Sequence, residues 1–342
     1  MTDLTAFIAD LPKVELHVHQ VGSASPRTVA MLAARHEGRT TVPSDPALLA
    51  DFFTFTDFAH FIEVYLTVVD LIKDAQDVHR LTYEVARDLA AQRVRYAELT
   101  VTPFTSVRVG VPASEFCAAI EDARIQAERD FGIVLRWCFD IPGEDGVPAA
   151  DATLEIALRE QPAGLVSFGL GGPEIGVPRP QFAPHFAAAR AAGLHSVPHA
   201  GESTGPQTIR DAIRYLGAER IGHGIAAARD PELMTQLAEQ GIALEVCPTS
   251  NVRTRSVASM SAHPLPILVS AGVPVTINSD DPPMFATTLS REYGIAAELL
   301  GHDEHGVADL AVAAVEASFA AAGDRQRIIG EIESYRAATA AR

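Results

Sequence analysis

Residues 14–26 read VELHVHQVGSASP, an apolar run with two histidines that is followed by a glycine and a helix start. In a β-strand, side chains two positions apart point to the same face, so His17 and His19 would converge on one point at the strand end. Two imidazoles on one face are typical metal ligands. A buried core histidine with an incidental neighbour is the commoner explanation of a lone pair, so the interpretation depends on the other strands.

Apolar segments of the same kind recur along the chain, and a longer helical pattern follows each of them. They are rich in Val, Ile, Leu and aromatic residues and end in Gly, Pro, Asp or Ser, which is typical of strands. The eight segments are KVELHVH (13–19), RYAELTV (95–101), VLRWCFDI (134–141), GLVSFGLG (164–171), LHSVPHAG (194–201), RIGHGI (220–225), ALEVCPT (243–249) and PVTINSD (274–280). Ala-rich amphipathic runs such as ASEFCAAIEDARIQAERD and DPELMTQLAEQ lie between them.

Strands that alternate with helices pair in parallel. Eight such units over 342 residues predict an α/β fold, a (β/α)8 TIM barrel that forms a single domain over residues 1–342. A doubly wound open sheet is the alternative, but the GxGxxG that usually follows its first strand is missing from the sequence.

The connection between the first two strands is unusually long, with about 75 residues where a few are normal. It predicts a helical insertion after the first strand. One helix is expected to begin at Ser25 and Pro26, and a second to run from Thr56 with an apolar stripe. The stripe consists of Phe58, Phe61, Ile62, Tyr65, Leu66 and Val69. Because the insertion leaves the end of a strand, part of DFFTFTDFAHF (51–61) is expected to form a wall of a site.

The composition opposes nucleic acid and membranes as partners. The net charge is -17 at pH 7 and the pI is about 5.1, whereas both partners require concentrated Lys and Arg. No segment approaches the roughly 20 apolar residues of a membrane span, and MTDLTAFIADLPK has no secretory-signal pattern. Three cysteines without a pairing framework suit a reducing compartment. We therefore expect a cytoplasmic protein with a small-molecule substrate and an unknown oligomeric state.

Polar residues gather where the predicted strands end, which is where catalysis occurs in a barrel. They are His17 and His19 after the first strand, His199 and Glu202 in PHAGE after the fifth, His223 in IGHG on the sixth, and Asp280 and Asp281 in NSDDPP after the eighth. Three histidines and an aspartate can surround one divalent ion, and nitrogen and oxygen ligands suit zinc.

The ordered motifs HVH, HAGE, HG and SDDP resemble those of the adenosine deaminase family of the amidohydrolase superfamily, over about residues 11–285. The resemblance implies hydrolytic deamination of an aminopurine nucleoside with one zinc ion per chain. The implied zinc ligands are His17, His19, His199 and Asp280. Glu202 is implied to protonate purine N1, His223 to assist deprotonation of the zinc-bound water, and Asp281 to orient that water and contact the purine. Gly172, in LGGPE (170–174), is implied to bind the purine through its amide, and His19 to contact the substrate.

The chemistry of these residue types agrees with those roles. Attack on C6 of an aminopurine moves negative charge into the ring, so an acid is needed near N1, and burial must raise the pKa of Glu202 for it to carry a proton. Two related kinds of site are excluded. The cytidine-deaminase type needs HxE and PCxxC, which this chain lacks. Binuclear amidohydrolases need a carbamylated lysine on the fourth strand, and the lysines here are Lys13 and Lys73.

One position departs from the family pattern. Adenosine deaminases normally read HxHLDG, and that aspartate binds the ribose 5′-hydroxyl, whereas this chain reads HVHQVG with Val21 in its place. A valine side chain cannot form hydrogen bonds, so a buried 5′-hydroxyl would lack a partner there. The missing hydrogen bond costs about 1–3 kcal/mol of binding free energy. HxVGSASP, FTFTDFAHFI and LGGPEIGVPRPQF resemble an actinobacterial branch, the 6-aminodeoxyfutalosine deaminases of menaquinone synthesis, whose substrate carries a benzoate-ended carbon chain at that point.

Three classes of function follow from the sequence. The leading one is zinc-dependent deamination of 6-aminodeoxyfutalosine, and the second is deamination of adenosine, adenine or another 5′-modified adenosine. The third is a barrel that binds a nucleoside without turnover, against which Glu202 and the full ligand set argue. Since an unpaired buried carboxylate is costly, the benzoate needs a cation. Arg108 and Arg179, in the loops after the second and fourth strands, are the candidates because a guanidinium pairs bidentately with a carboxylate.

Overall fold

The computed structural model describes residues 4–55 and 58–340. Its centre is a sheet of eight parallel strands that pair in the order of the sequence. The strands are β1 (Lys13–His19), β2 (Val94–Val101), β3 (Val134–Pro142), β4 (Leu165–Gly171), β5 (His195–Ala200), β6 (Arg220–His223), β7 (Ala243–Val246) and β8 (Val275–Ile277). All eight coincide with segments predicted from the sequence.

The sheet closes into a barrel because the chain after β8 returns to β1. The main-chain N–H of His19 donates to the carbonyl of Asp280, and the N–H of Asp280 donates to the carbonyl of His17, both at 3.0 Å. Sequential strand order with the first and last strands joined is the topology of a (β/α)8 barrel, so the predicted fold is confirmed. The doubly wound alternative is excluded, because its strand order reverses at a switch point.

Helices alternate with the strands, as predicted. The described helices are α1 (Leu4–Asp10), α2 (Pro26–Arg35), α3 (Pro46–Phe52), α4 (Phe58–Val69), α5 (Ala75–Ala91), α6 (Pro103–Arg108), α7 (Ala113–Phe131), α8 (Gly146–Glu160), α9 (Ala183–Ala191), α10 (Pro206–Asp211), α11 (Pro231–Gln240), α12 (Pro248–Arg253), α13 (Leu265–Ser270), α14 (Leu289–Leu300), α15 (Glu304–Ala317) and α16 (Ala322–Ala340). None of the helices in the described residues is long and apolar enough to cross a membrane.

The long connection between β1 and β2 is helical, as the sequence predicts. Helix α2 begins where Ser25 accepts a hydrogen bond from the N–H of Thr28, with Pro26 as the first helical residue. Helix α3 was not predicted. Helix α4 contains all six positions of the predicted apolar stripe, while its predicted start at Thr56 lies outside the described residues.

The strands are buried on both faces, as expected for a parallel sheet covered by helices. Charged side chains are nevertheless enclosed beside β6 and β7. The Arg220 guanidinium donates through Nε to Glu245 Oε1 at 2.7 Å, pairs with Glu98 and lies 3.9 Å from the Phe319 ring centroid. Both carboxylates are compensated, which is the condition under which buried charge is tolerated. This cluster bears on the site because Glu245 also contacts His17.

Candidate active site

The four predicted metal ligands meet at the C-terminal end of the barrel. His17 and His19 are on β1, His199 is on β5, and Asp280 follows β8. The His17 and His199 ring centroids are 4.5 Å apart, and those of His17 and His19 are 5.4 Å apart. Asp280 Oδ1 lies 3.3 Å from His19 Nε2 and 3.7 Å from His17 Nε2. The structure therefore brings together side chains that are far apart in the sequence.

This cluster fits a zinc ion. Nitrogen atoms of the three histidines lie within 4.8 Å of one another. His17 Nε2 is buried and has no hydrogen-bond partner in the part of the chain that the structure describes. A buried polar atom left unpaired in this way calls for an explanation, and a bound ion supplies one. Three imidazole nitrogens and a carboxylate are a donor set that zinc prefers.

A second acidic and polar layer fixes the orientation of the ligands. Glu245 Oε2 lies 2.9 Å from His17 Nδ1, so Nδ1–H donates to Glu245 and Nε2 is left to face the site. The Ser250 hydroxyl donates to Asp280 Oδ2 at 2.6 Å. Sequence reasoning missed both Glu245 and Ser250. The one available signal was a glutamate in the middle of the apolar segment ALEVCPT.

Glu202 has the properties of a proton donor. Burial in the pocket, reinforced by the nearby Asp280 carboxylate, raises its pKa to about 8, so it is mainly protonated at pH 7. The Thr254 hydroxyl donates to its Oε1 at 3.1 Å. Glu174 holds the loop from below, because its carboxylate accepts the N–H groups of Gly201 at 2.8 Å and of Glu202 at 2.7 Å. Glu174, at the end of the LGGPE motif, was also missed.

A chain of hydrogen bonds determines the tautomer of His223. The N–H of Leu265 donates to His263 Nδ1 at 3.2 Å, so the neutral His263 ring carries its proton on Nε2. That nitrogen donates to Asn251 Oδ1 at 3.2 Å, and Asn251 Nδ2 donates to His223 Nδ1 at 3.0 Å. Burial lowers the pKa of His223 to about 3. Neutral His223 therefore carries its proton on Nε2, 3.6 Å from Glu202 Oε2.

Two glycines provide room that the site requires. A Cβ on Gly22 would lie 1.5 Å from Asp281 Oδ1, so the glycine of HVHQVG allows Asp281 to lie against β1. Gly172 has a φ of 76°, and a Cβ there would lie 2.2 Å from Glu144 Oε2. Its backbone can thus approach a flat ligand closely. Asp281 is buried, and its Oδ1 has no hydrogen-bond partner among the described residues.

One pocket of about 1100 Å³, including its open mouth, is lined by His19, Gly172, His199, Glu202, His223, Asp280 and Asp281. Phe61 and Tyr65 of α4 form part of its wall, which confirms the wall predicted from the insertion. Val21 also lines it and is 9% exposed. Sequence reasoning missed Asp140 and Glu144, two further lining carboxyls. Burial raises the pKa of Asp140 well above its usual range and also raises the pKa of Glu144.

The two candidate arginines differ in position. Arg179 is 1% exposed and its guanidinium donates to the carbonyls of His199, at 2.9 Å, and Val177, also at 2.9 Å. Its guanidinium is buried and its N–H groups are occupied by main-chain carbonyls, so the prediction of Arg179 as a benzoate partner is wrong. Arg108 ends α6, is 47% exposed and pairs with Asp145 at 3.0 Å.

A (β/α)8 barrel with three histidines, an aspartate and an adjacent neutral glutamate at its C-terminal end defines a metal-dependent hydrolase of the amidohydrolase type. The comparisons with known proteins specify the family. The family model described as Adenosine deaminase matches residues 12–335, and the chain belongs to that family.

Both protein sequences and solved structures resemble this chain. It is 64% identical over 338 residues to an aminodeoxyfutalosine deaminase of Streptomyces coelicolor, covering 98% of this chain and 87% of the relative. The structure of an adenine deaminase from Arthrobacter aurescens superimposes with a TM-score of 0.89 at 29% identity, over 95% of this chain and 99% of that one. An amidohydrolase from Burkholderia ambifaria with bound zinc gives a TM-score of 0.88 at 25% identity, over 99% and 95% of the two chains.

Proposed function

We propose that this chain catalyses the hydrolytic deamination of 6-aminodeoxyfutalosine, which gives a futalosine-type product and ammonia in menaquinone synthesis. The observation that carries the substrate assignment is Val21, a side chain without hydrogen-bonding groups at the pocket wall where the family pattern has an acceptor for the 5′-hydroxyl. The 64% identity to a relative named for this activity supports it.

One zinc ion per chain is part of this proposal, with His17, His19, His199 and Asp280 as its ligands. The unpaired His17 Nε2 and the spacing of the imidazoles support this set. When bound, zinc would lower the pKa of a water molecule toward neutrality and so supply a nucleophile at pH 7.

The protein residues then bind the purine and protonate it. The Gly172 amide donates to a ring nitrogen, and the unpaired Asp281 carboxyl faces the purine from the β8 side. Glu202, protonated at pH 7 because its pKa is about 8, gives its proton to N1 as oxygen adds to C6. Neutralising N1 keeps negative charge from accumulating in the ring. The amino group then leaves as ammonia with the proton of the hydroxyl that added at C6, and C6 becomes the carbonyl of the product.

His223 has a role that differs from the one the family resemblance implies. Asn251 occupies Nδ1 as a donor, so the neutral ring presents an N–H at Nε2 and has no free nitrogen with which to accept a proton. We therefore assign His223 to hydrogen-bond donation toward the oxygen that adds at C6. The ring stabilises developing negative charge there, as oxyanion donors do in other hydrolases.

A substrate panel tests the assignment. The zinc-loaded enzyme should deaminate 6-aminodeoxyfutalosine with a kcat/KM at least about 5-fold higher than for adenosine or adenine, because a missing buried hydrogen bond of 1–3 kcal/mol corresponds to about 5- to 150-fold. Loss of the aminopurine absorbance and release of ammonia are the two readouts. Equal efficiency on adenosine would favour the second function, and an A. aurescens neighbour named adenine deaminase makes adenine the essential third substrate.

A further inference from the structure

The β2–α6 connection and the end of α4 both contribute residues to the lining of the pocket. Strands β1 and β2 are neighbours: the Cα of His19 pairs with that of Thr100, and the N–H of Gln20 donates to the carbonyl of Thr100 at 2.9 Å. The turn that carries Val21 is therefore beside the segment that follows β2. Both segments line the same pocket. A substituent that leaves the ribose at Val21 enters this part of the pocket, which we call the tail channel.

One wall of the tail channel is a row of hydroxyl groups. Thr100, Thr102, Thr105 and Ser106 all line the pocket within seven positions of the sequence. The Thr105 hydroxyl donates to the carbonyl of Thr102 at 2.8 Å. Ser106 is 6% exposed, and neither its hydroxyl nor that of Thr102 has a hydrogen-bond partner among the residues 4–55 and 58–340. Thr102 is half-buried. Pocket-facing hydroxyls that do not donate to a protein group can donate to a ligand that brings acceptor oxygens.

Another part of the lining is apolar. Val69, at the end of α4, and Ile72, just after it, line the pocket and are 7% and 3% exposed. Phe61 lies deeper on the same helix, with its ring centroid 4.9 Å from that of Phe285. An aromatic ring buries its faces favourably against such side chains. The channel therefore has one face for a ring and another for oxygen atoms.

A positive charge lies next to the hydroxyl wall along α6, on Arg108, which is itself outside the set of pocket-lining residues. Arg108 follows Thr105 by three positions on α6, which places the two side chains on the same side of the helix. Its guanidinium pairs with Asp145, the residue after the pocket-lining Glu144. Half-exposed and held by a single carboxylate, Arg108 keeps N–H groups available for a second one. Burial raises the pKa of the inner carboxyls Asp140 and Glu144, and a raised pKa reduces their repulsion of an incoming anion.

We propose that the tail channel binds the acidic aryl tail of the substrate, with its carboxylate accepting hydrogen bonds from Ser106 and Thr102 beside Arg108. The aromatic ring packs against Val69 and Ile72. This subsite rests on the proposed function, because it starts from a nucleoside whose 5′ position carries a chain. The sequence analysis expected a single arginine to bind the carboxylate. In the proposed subsite, two hydroxyl groups orient the carboxylate by hydrogen bonds and one cation attracts it electrostatically.

The experiment compares three substrates: 6-aminodeoxyfutalosine, its methyl ester and 5′-deoxyadenosine. Ser106→Ala should raise KM for the acid about 5- to 30-fold with kcat nearly unchanged, because hydrogen bonds to charged groups contribute about 1.5–3 kcal/mol and other donors compensate in part. Thr102→Val is a second variant of the same wall. Arg108→Ala should raise KM for the acid about 3- to 5-fold, since the guanidinium is half-exposed. In each case, the loss for the ester and the tail-less nucleoside should be several-fold smaller.

Arg159→Ala is the matched control, because Arg159 is also an exposed, ion-paired arginine, on α8, with Glu155 at 2.9 Å. It should leave all three substrates unaffected. Equal losses on acid and ester, or unchanged KM in the Ser106, Thr102 and Arg108 variants of an enzyme that prefers the acid, would overturn the subsite alone. If the unmodified enzyme shows no preference for the acid over adenosine, the proposed function fails and the subsite with it. Thermal melting curves identify any variant that is merely unfolded.

Discussion

The protonation state of Glu202 can be tested by moving its pKa. At a pKa of about 8, roughly nine-tenths of the carboxyl is protonated at pH 7 and about one-tenth at pH 9. Because the acid form donates the proton, kcat/KM should be level at neutral pH and fall about tenfold per pH unit well above 8. The sign is set by the raised pKa: activity is lost as pH rises through it.

A substitution at Thr254 should shift the alkaline limb, the fall of kcat/KM above about pH 8, while Glu202 itself is unchanged. Its hydroxyl donates to Glu202 Oε1 at 3.1 Å and so stabilises the ionised form. Thr254→Val keeps the shape and removes the donor. A hydrogen bond that contributes about 1 kcal/mol corresponds to an alkaline limb that moves upward by about 0.5 to 1 pH unit.

Steady-state rates across pH, followed by loss of aminopurine absorbance, measure both effects. Glu202→Gln should lower kcat by about 10²–10⁴ and abolish the alkaline limb, with zinc content unchanged. If Glu202→Gln kept nearly full activity, or if Thr254→Val moved the limb to lower pH, Glu202 would not be the acid that protonates N1.

Three other changes have defined outcomes. His17→Ala should abolish both zinc content, measured by metal analysis, and turnover; an active variant without metal would contradict the ligand assignment. Val21→Asp should raise kcat/KM for adenosine about 5- to 100-fold and lower it for 6-aminodeoxyfutalosine, since the new carboxyl accepts from a 5′-hydroxyl; unchanged selectivity would remove Val21 as the determinant. His263→Ala frees the Asn251 amide to rotate, so kcat should fall about tenfold with zinc retained, and ¹⁵N NMR should show a change in the tautomer of His223. His263→Gln should restore part of the rate. An unaltered His223 tautomer in His263→Ala would refute the chain of hydrogen bonds.

The sequence was sufficient for the barrel because its signals are local. A strand such as β3 is predicted by its own run of apolar residues. The parallel topology follows because the strands alternate with helices. The same topology places strand ends on one face of the barrel, so His17, His199 and Asp280 could be grouped before any distance was known. Helix α3 was missed because it is short and interrupts a long connection.

The supporting residues could not be predicted, because their partners are distant in the sequence. Glu245 is 228 positions from His17, and Arg220 is 122 positions from Glu98. The hydrophobic periodicity of a helix or strand does not indicate which distant residues pair with one another. Arg179 was instead wrongly included among the site residues. Its loop lies on the correct face of the barrel, but its side chain turns inward and donates to main-chain carbonyls, and the sequence does not show which way such a side chain turns.

The joining of β1 to the end of β8 also sets an order for biosynthesis. Asp280 exchanges main-chain hydrogen bonds with the β1 histidines, and the Ser279 hydroxyl donates to Glu15, 264 positions earlier in the chain, at 2.9 Å. While the ribosome is still making the middle of the protein, His17 and His19 are already outside it without their carboxylate partner. The complete ligand set exists only after the last strand has emerged and docked. A zinc ion bound by this set, as proposed, would therefore load late in maturation, and a chain cut short before residue 275 would lack the complete set.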